Sequence, residues 1–497
     1  MAILAVYDTV GIQDYIFNSN KLAENVGGSK LVADIFASFF PEIINSHRGV
    51  ANWREKKELS LNSSCEIIYQ GGGNAYVVFQ DQPLFQLVTE QFLAEIVQKT
   101  RGVGLAVAAI ETDLGDNYYD DMKKLNQRLA LAKGNLNRPM LAGNQPITKQ
   151  SVRTGSPVTA FISDENKEYI DVEQGLKRQR YEYYRKERKN SLGLVKTFDG
   201  LIEDTKGADS FIAIIHADGN NMGKNIGEIM SNFSSYEKAV PEIRELSKRI
   251  DVCYKEATEQ VRESFPDIKV IELIGDGDDI TLVLPGKYAL KYAAELLKNI
   301  ENTVPEKRPF SGVKPTACAG VVLFRAHYPF ANAYKLAEEC CASAKKLARQ
   351  ISTDAASASC IDFHLHSSGF VSDLETLREQ QYVIREKSVL ARPWCISKDE
   401  AFKDYPSFDW LGEHVGLKNW SRNKSKALRN AIAFSDFDAD LVVNQAKSLG
   451  FSLPPVTFCL DDEKSKYAHY FDVLEIADLF ADLTESEVKK HDDSDNA

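Results

Sequence analysis

Val270-Ile-Glu-Leu-Ile-Gly-Asp-Gly-Asp-Asp-Ile-Thr-Leu-Val-Leu284 holds two short apolar runs joined by a tight, acidic, glycine-bearing turn. Runs rich in Ile, Leu and Val with so few residues between them predict a β-hairpin. Upstream, Phe211-Ile-Ala-Ile-Ile-His-Ala217 reads as a buried strand ending at Asp218. Helical sequence separates that strand from the hairpin. Downstream come a helix over about 288–300, a strand over Thr316–Leu323 and a long Ala-rich helix over Phe330–Arg349. The order β-α-β-β-α-β-α contains the ferredoxin-like palm arrangement.

The same order occurs once before. Ile3-Leu-Ala-Val-Tyr-Asp8 predicts a strand ending at an acid, and Lys30–Phe40 has helical periodicity. Glu66-Ile-Ile-Tyr69 and Tyr76-Val-Val-Phe79 flank the turn Gly71-Gly72-Gly73-Asn74. A helix (84–97), a strand (Gly104–Ile110) and a helix (125–133) follow. An acid at the first strand end and a glycine turn in the hairpin, both repeated, indicate duplication. The fold class is therefore α+β: tandem ferredoxin-like palm domains followed by a mainly helical C-terminal region. The expected units are 1–150, a first, acid-poor palm; 151–205, a linker with a basic and aromatic helix; 206–355, the second palm; 356–485, the helical region; and 486–497, a disordered polar tail.

The chain has 497 residues, 43% of them hydrophobic and 27% charged, which is enough for several packed units. A net charge of −12 argues against a surface coated in non-specific nucleic-acid contacts. Eight scattered cysteines form no CxxC pair, so a zinc ribbon is not supported and reduced, buried thiols are expected. The N-terminus lacks a basic signal-peptide region, and no apolar run spans a bilayer. A soluble, cytoplasmic protein with no membrane partner is expected. In Lys177–Lys186 basic and aromatic residues interleave on a helix, a pattern suited to phosphates and bases but commoner on a solvated linker face. His364 and His366 share a strand face and read as core or surface residues rather than ligands. Arg392-Pro393-Trp394 is expected to pack the C-terminal region against the palm.

Nucleotidyl transfer needs divalent cations held by acids that converge from different parts of a fold. In a ferredoxin-like sheet the first strand's end lies beside the hairpin turn, so Asp218 is expected to meet Asp278 and Asp279. These three are the candidate catalytic and metal-binding residues. Successive strand residues face opposite ways, so both turn acids enter one site only if Gly277 lets the backbone bend. Gly219, Asn220, Asn221, Gly223 and Lys224 precede or open a helix and are candidates for cradling a triphosphate, with Gly277 admitting a phosphate to the backbone. Lys345, Lys346 and Arg349 supply cations on the last helix. The first palm has no carboxylates in its turn. Gly72, Gly73 and Asn74 are there the candidates for a second nucleotide site, with a decayed scaffold as the alternative.

These residues resemble a known family. Tyr7-Asp8-Thr-Val-Gly-Ile-Gln-Asp-Tyr-Ile-Phe17 is similar to the opening of the first palm of the CRISPR-associated polymerases, the large subunits of type III CRISPR effector complexes. Ala217–Gly223, Asp276-Gly277-Asp278-Asp279, and Thr316–Phe324 with Ala337-Glu338 and Lys345-Lys346 resemble the motifs of their second palm. The resemblance implies a second palm of the polymerase and nucleotide-cyclase type that joins nucleoside triphosphates, ATP favoured, with Mg²⁺ or Mn²⁺, giving a cyclic or linear oligonucleotide signal in antiviral defence. A mononucleotide cyclase and a non-catalytic nucleotide- or RNA-binding subunit are the alternatives. RNA, a CRISPR-type complex and further copies of the chain are the candidate macromolecular partners. The family's HD nuclease domain and its zinc cysteines have no counterpart, since the lone His491-Asp492 lies in the polar tail, which suggests a stand-alone synthase. Asn220 stands where the family often has an acid, and Asp276 replaces the first glycine of the turn.

Overall fold

A computed structural model of the chain describes residues 1–60, 63–136, 147–151, 155–162, 168–187, 195, 197–202, 206–353, 356–367, 372–456, 458 and 463–481. The expected tail, 486–497, lies outside these residues.

The first palm runs β1 (Ala2–Val10), α1 (Ile12–Phe17), α2 (Leu22–Asp34), β2 (Cys65–Gly71), β3 (Asn74–Phe79), α3 (Gln82–Thr100), β4 (Gly104–Thr112) and α4 (Tyr118–Gly134). A helix α5 (Val172–Glu187) precedes the second palm. That palm runs β5 (Phe211–Gly219), α6 (Met222–Met230), α7 (Tyr236–Ser264), β6 (Ile271–Asp276), β7 (Asp279–Pro285), α8 (Gly286–Glu301), β8 (Ala317–Arg325) and α9 (Phe330–Ile351). The first sheet has the order β2-β3-β1-β4, and the second contains the matching order β6-β7-β5-β8. All these neighbours are antiparallel, as the ferredoxin-like connection requires. Both expected hairpins are present, and each turn lies at the end of its palm's first strand.

Each sheet is apolar on both faces, because each is covered twice. Ala213, Ile215 and Ala217 of β5 pack with Ile280 and Leu282 of β7 under α7 and α8. Ile212 and Ile214 share a second core with Val322, Phe330 and Tyr334 and with first-palm residues such as Tyr15, Phe17 and Leu31. That core continues across the seam between the palms. Helix α9 lies so close to its sheet that a Cβ on Gly320 would sit 2.0 Å from the Ala337 carbonyl oxygen, so only glycine fits there.

The palms exchange corresponding helices. Helix α2, which follows the first strand of palm one, packs on β6 of palm two, where Ser29 Oγ donates to the Leu273 carbonyl. Helix α7 of palm two packs on β2 of palm one. There the fully buried Arg244 guanidinium donates to the Ile68 carbonyl (2.8 Å), the Ile67 carbonyl (2.9 Å) and Glu66 (2.8 Å). A pseudo-twofold seam results.

The strand-like stretch around His364 and His366 forms β9 (Cys360–Leu365), which extends the second sheet in parallel beside β8; β10 (Trp394–Cys395) then adds to β9. One expectation changes. Helix α5 keeps Tyr183 and Lys186 exposed but turns its other basic residues to protein acids. Lys177 is buried against Glu173 and the Tyr15 carbonyl, Arg178 binds Glu24 (2.7 Å), and Arg180 binds Asp34 (2.6 Å). Its basic side chains fasten it to α2 and neighbouring acids.

The C-terminal region continues through α10 (Leu374–Tyr382), α11 (Phe408–His414), α12 (Arg422–Ile432), α13 (Asp436–Ser448) and α14 (Ala468–Glu475). Arg392, with 0% side-chain exposure, bridges Asp472 (2.9 Å) and Glu475 on α14, and Trp394 stacks on Trp410. The Arg-Pro-Trp stretch thus joins this region to the sheet, as expected. His364 and His366 are buried core residues; burial and nearby arginines hold the His364 imidazole neutral, with its pKa lowered to about 3. All seven described cysteines are free and buried. Among the described residues, no helix is long and apolar enough to cross a membrane.

Candidate active site

Asp218 is the penultimate residue of β5, and the register that pairs Ala217 with Ile280 brings it beside Asp279 at the start of β7. The hairpin turn between Asp276 and Asp279 contains Gly277 at φ 63°, the left-handed conformation that lets the chain reverse in two residues. Asp278 hydrogen-bonds to the Asp218 carboxyl and lies against Gly219, where a Cβ would come within 2.9 Å of Asp278 Oδ2 and 2.5 Å of the Tyr254 hydroxyl. Glycine at 219 therefore lets the turn, the strand end and α7 meet. Asp279 leaves in another direction, towards His216 Nδ1 at 3.5 Å, and its Oδ1 is buried without a hydrogen-bond partner. The two acids thus diverge at their carboxyls, as strand alternation requires, while both still line the space between the palms.

Electrostatics mark the cluster as starved of positive charge. Burial and repulsion from Asp218 raise Asp278 to about 6. Burial and repulsion from Asp218 and Asp278 raise Asp279 to about 7. Burial lowers His216 to about 4, so its imidazole is neutral and the contact with Asp279 is not an ion pair at neutral pH. Lys345 of α9 is the nearby cation, donating to Asp218 and to the Gly219 carbonyl (3.2 Å).

Among the described residues, no three His, Cys, Asp or Glu side chains surround one metal position. The expected set of three is instead a close pair, Asp218 with Asp278, and a third acid facing His216. That donor set still fits Mg²⁺ or Mn²⁺, which take one or two protein carboxylates and complete their shell with water and substrate oxygens. The raised pKa values and the orphaned Asp279 oxygen are what a missing cation would relieve.

The remaining candidates divide. Asn220, Asn221, Lys345 and Arg349 line one small pocket. Asn221, at φ 58°, stands at the N-cap position of α6 without a side-chain cap. The Asn220 side chain donates to Thr316 Oγ1 (3.2 Å) and the Ala358 carbonyl (2.9 Å), so it fastens the loop in place. Gly223 borders open space. Lys224 is 73% exposed and pairs along its own helix with Glu228, and Lys346 is exposed.

A cavity of about 640 Å³ lies between the palms, with Asp276, Asp278 and Asp279 on one wall and Gly72 and Gly73 on the other. Six carboxylates and three cations line it, the cations being Lys30, Arg54 and Lys255. Gly72 and Gly73 both have positive φ, 60° and 76°. Asn74 pairs with Asp8 in the sheet but does not line the cavity. Asp8 bonds Lys133 of α4 at 2.9 Å. Lys133 and Lys345 occupy corresponding helices, so the duplication extends to a strand-end aspartate with its lysine.

Sequence reading missed Tyr254, Lys133, His216, Arg54 and Lys255. Lys133 alone had a local signal, since it lies on the helix corresponding to that of Lys345. The others depend on long-range packing.

Residues 211–352 match the family profile of the Cas10/Cmr2 second palm domain. The second palm belongs to that family. The Cas10/Cmr2 match covers the strand-end acid, the acidic turn and Lys345 together. No curated protein sequence matches the chain. In fold the chain is similar to a Csm1–Csm4 cassette solved in complex with cA3, with TM-score 0.55, 13% identity, and 97% of this chain and 70% of that one covered. A cassette in complex with pppApApA gives TM-score 0.55, 14% identity and coverage of 96% and 69%. One in complex with one ATP gives TM-score 0.52, 14% identity and coverage of 97% and 70%. At such identities the likeness is one of fold.

Proposed function

We propose that the chain is a metal-dependent nucleotidyltransferase that joins nucleoside triphosphates, ATP by preference, into a cyclic or linear oligonucleotide. The observation that carries this reading is the Asp218–Asp278 carboxyl pair, Asp278 lining the inter-palm cavity, within a Cas10/Cmr2-type palm. The solved cassettes of the same fold that hold ATP, pppApApA or cA3 support the choice of substrate class.

Asp218 and Asp278 hold the cation, with Asp279 the third acid of the site. When bound, Mg²⁺ or Mn²⁺ neutralises the triphosphate and acidifies the attacking hydroxyl. Lys345, already on Asp218, is placed to bind phosphate, and Arg349 and Asn221 beside it extend that surface. Neutral His216 holds Asp279 from behind without adding charge. Gly277 leaves its backbone open to a phosphate. The first-palm turn, Gly72–Asn74, presents the partner face, where a second nucleotide would bring its 3′-hydroxyl to the α-phosphate.

The test is product analysis. The purified chain is incubated with each labelled NTP and Mg²⁺ or Mn²⁺, with and without added RNA, and products are resolved by mass. The wild type yields a phosphodiester product and pyrophosphate; Asp278→Ala and Asp218→Ala yield neither. Identical traces from wild type and variants under every condition would overturn the reading.

A further inference from the structure

Asp276 breaks the symmetry of the two turns. Its position in the second palm matches Gly71 in the first, since Gly71 pairs with Asn74 as Asp276 pairs with Asp279. Its side chain does not turn towards Asp218. It crosses the cavity, and Oδ2 accepts from the Gly73 amide of the first palm at 3.3 Å. Gly72 and Gly73, both at positive φ, turn that amide into the cavity. Thr9 meanwhile holds the Gly73 carbonyl through its own amide (2.9 Å) and hydroxyl (2.7 Å), which fixes the peptide on the far side. A backbone amide presented in this way at a glycine turn suits an anionic oxygen. Here a carboxylate of the same chain already takes it. The cavity's guanidinium, Arg54, is bonded to Asp251.

We propose that Asp276 occupies the anion position of the first palm's glycine turn, so that a second nucleoside triphosphate reaches that turn only by displacing it. This rests on the nucleotidyltransferase reading above and deepens it. Cavities of several hundred Å³ accommodate a nucleotide-sized ligand, so space is not what limits the first-palm half. Charge is: a phosphate and a carboxylate compete for one donor and repel each other at contact distance. The chain therefore binds one nucleoside triphosphate at the acid-bearing palm readily and a second one weakly, with Asp276 setting the difference.

The experiment is calorimetric titration of the full chain with α,β-methylene-ATP in Mg²⁺, comparing wild type, Asp276→Asn and Asp276→Gly. The expected result is one resolved site in wild type. In both variants a second site appears, at least tenfold tighter than any second event in wild type. Asp276→Asn keeps the size and hydrogen-bonding reach of the side chain, so it carries the test if the glycine variant fails to fold. Two equal sites in wild type, or the same number and affinity of sites in wild type and variants, would overturn the inference while leaving the enzymatic reading intact. No binding to wild type would sink both, and a wild-type site untouched by Asp278→Ala would sink the enzymatic reading.

Discussion

Lowering the pH should weaken divalent-cation binding by an amount that reveals how many of the turn acids are ligands. Asp278 is raised to about 6 and Asp279 to about 7, in each case by burial first and by neighbouring carboxylates second. A cation takes only the ionised form, so protons compete with it. If Asp278 is the one titrating ligand, moving from about pH 8 to about pH 5.5 weakens binding about 4-fold; if Asp279 must also ionise, the loss is about 100-fold. The structure favours the smaller figure, because Asp278 hydrogen-bonds to Asp218 whereas Asp279 faces His216. Titration of the nucleotide-free chain with Mn²⁺, followed by electron paramagnetic resonance across this range, reads the slope directly. Asp279→Asn should leave it unchanged. A flat profile would refute a carboxylate metal site at this turn. A 100-fold loss that Asp279→Asn reduces to about 4-fold would show that Asp279 is a ligand and that the pair is incomplete.

The same shifts predict stability. A carboxyl raised above its ordinary value of 3.8 stabilises the fold below that value and loses the contribution as pH rises through about 6 and 7. Mn²⁺ should therefore raise the melting temperature more at pH 8 than at pH 5.5, measured against a chelated control. At the seam, Arg244→Ala leaves Glu66 buried without its partner and should cost about 3–5 kcal/mol, whereas Arg244→Met with Glu66→Leu should recover much of it in denaturant unfolding. Gly219→Ala places a methyl 2.5 Å from the Tyr254 hydroxyl and 2.9 Å from Asp278 Oδ2. It should abolish product formation without unfolding the chain, and Tyr254→Phe in the same background should restore part of the Mn²⁺ affinity. Arg392→Ala strands Asp472 and Glu475 and should lower the melting temperature by several degrees, about 3–5 kcal/mol in stability, with cation affinity unchanged.

The strands and hairpins were legible because each is a short apolar run beside glycine, and buried strands need only that local pattern. Asp218, Asp278 and Asp279 were legible because strand ends and turns lie together in this topology. What the acids do after leaving the backbone was not. Asp279 turns to a histidine that precedes Asp218 in sequence, and Asp276 crosses to the other palm. Strand β9 was legible in the alternation of His364 and His366, but its pairing was not, because its partner, β8, lies across the whole of α9, and pairing at that distance leaves no trace in a local window. The role of α5 was missed for a related reason. Its charges look solvent-facing until α2 supplies Glu24 and Asp34.

The exchanged helices make the two palms a dimer fused into one chain. In a dimer of separate chains, a substitution in one copy is a substitution in both, so the halves must stay alike. A tether removes that constraint and keeps the partners at millimolar effective concentration whatever the affinity of the seam. Because α2 and α7 hold the seam through buried cores and Arg244 rather than through carboxylates at the first palm's turn, that turn can lack acids without loosening the pairing. An acid-bearing turn facing an acid-free one is the kind of asymmetry that such tethering permits.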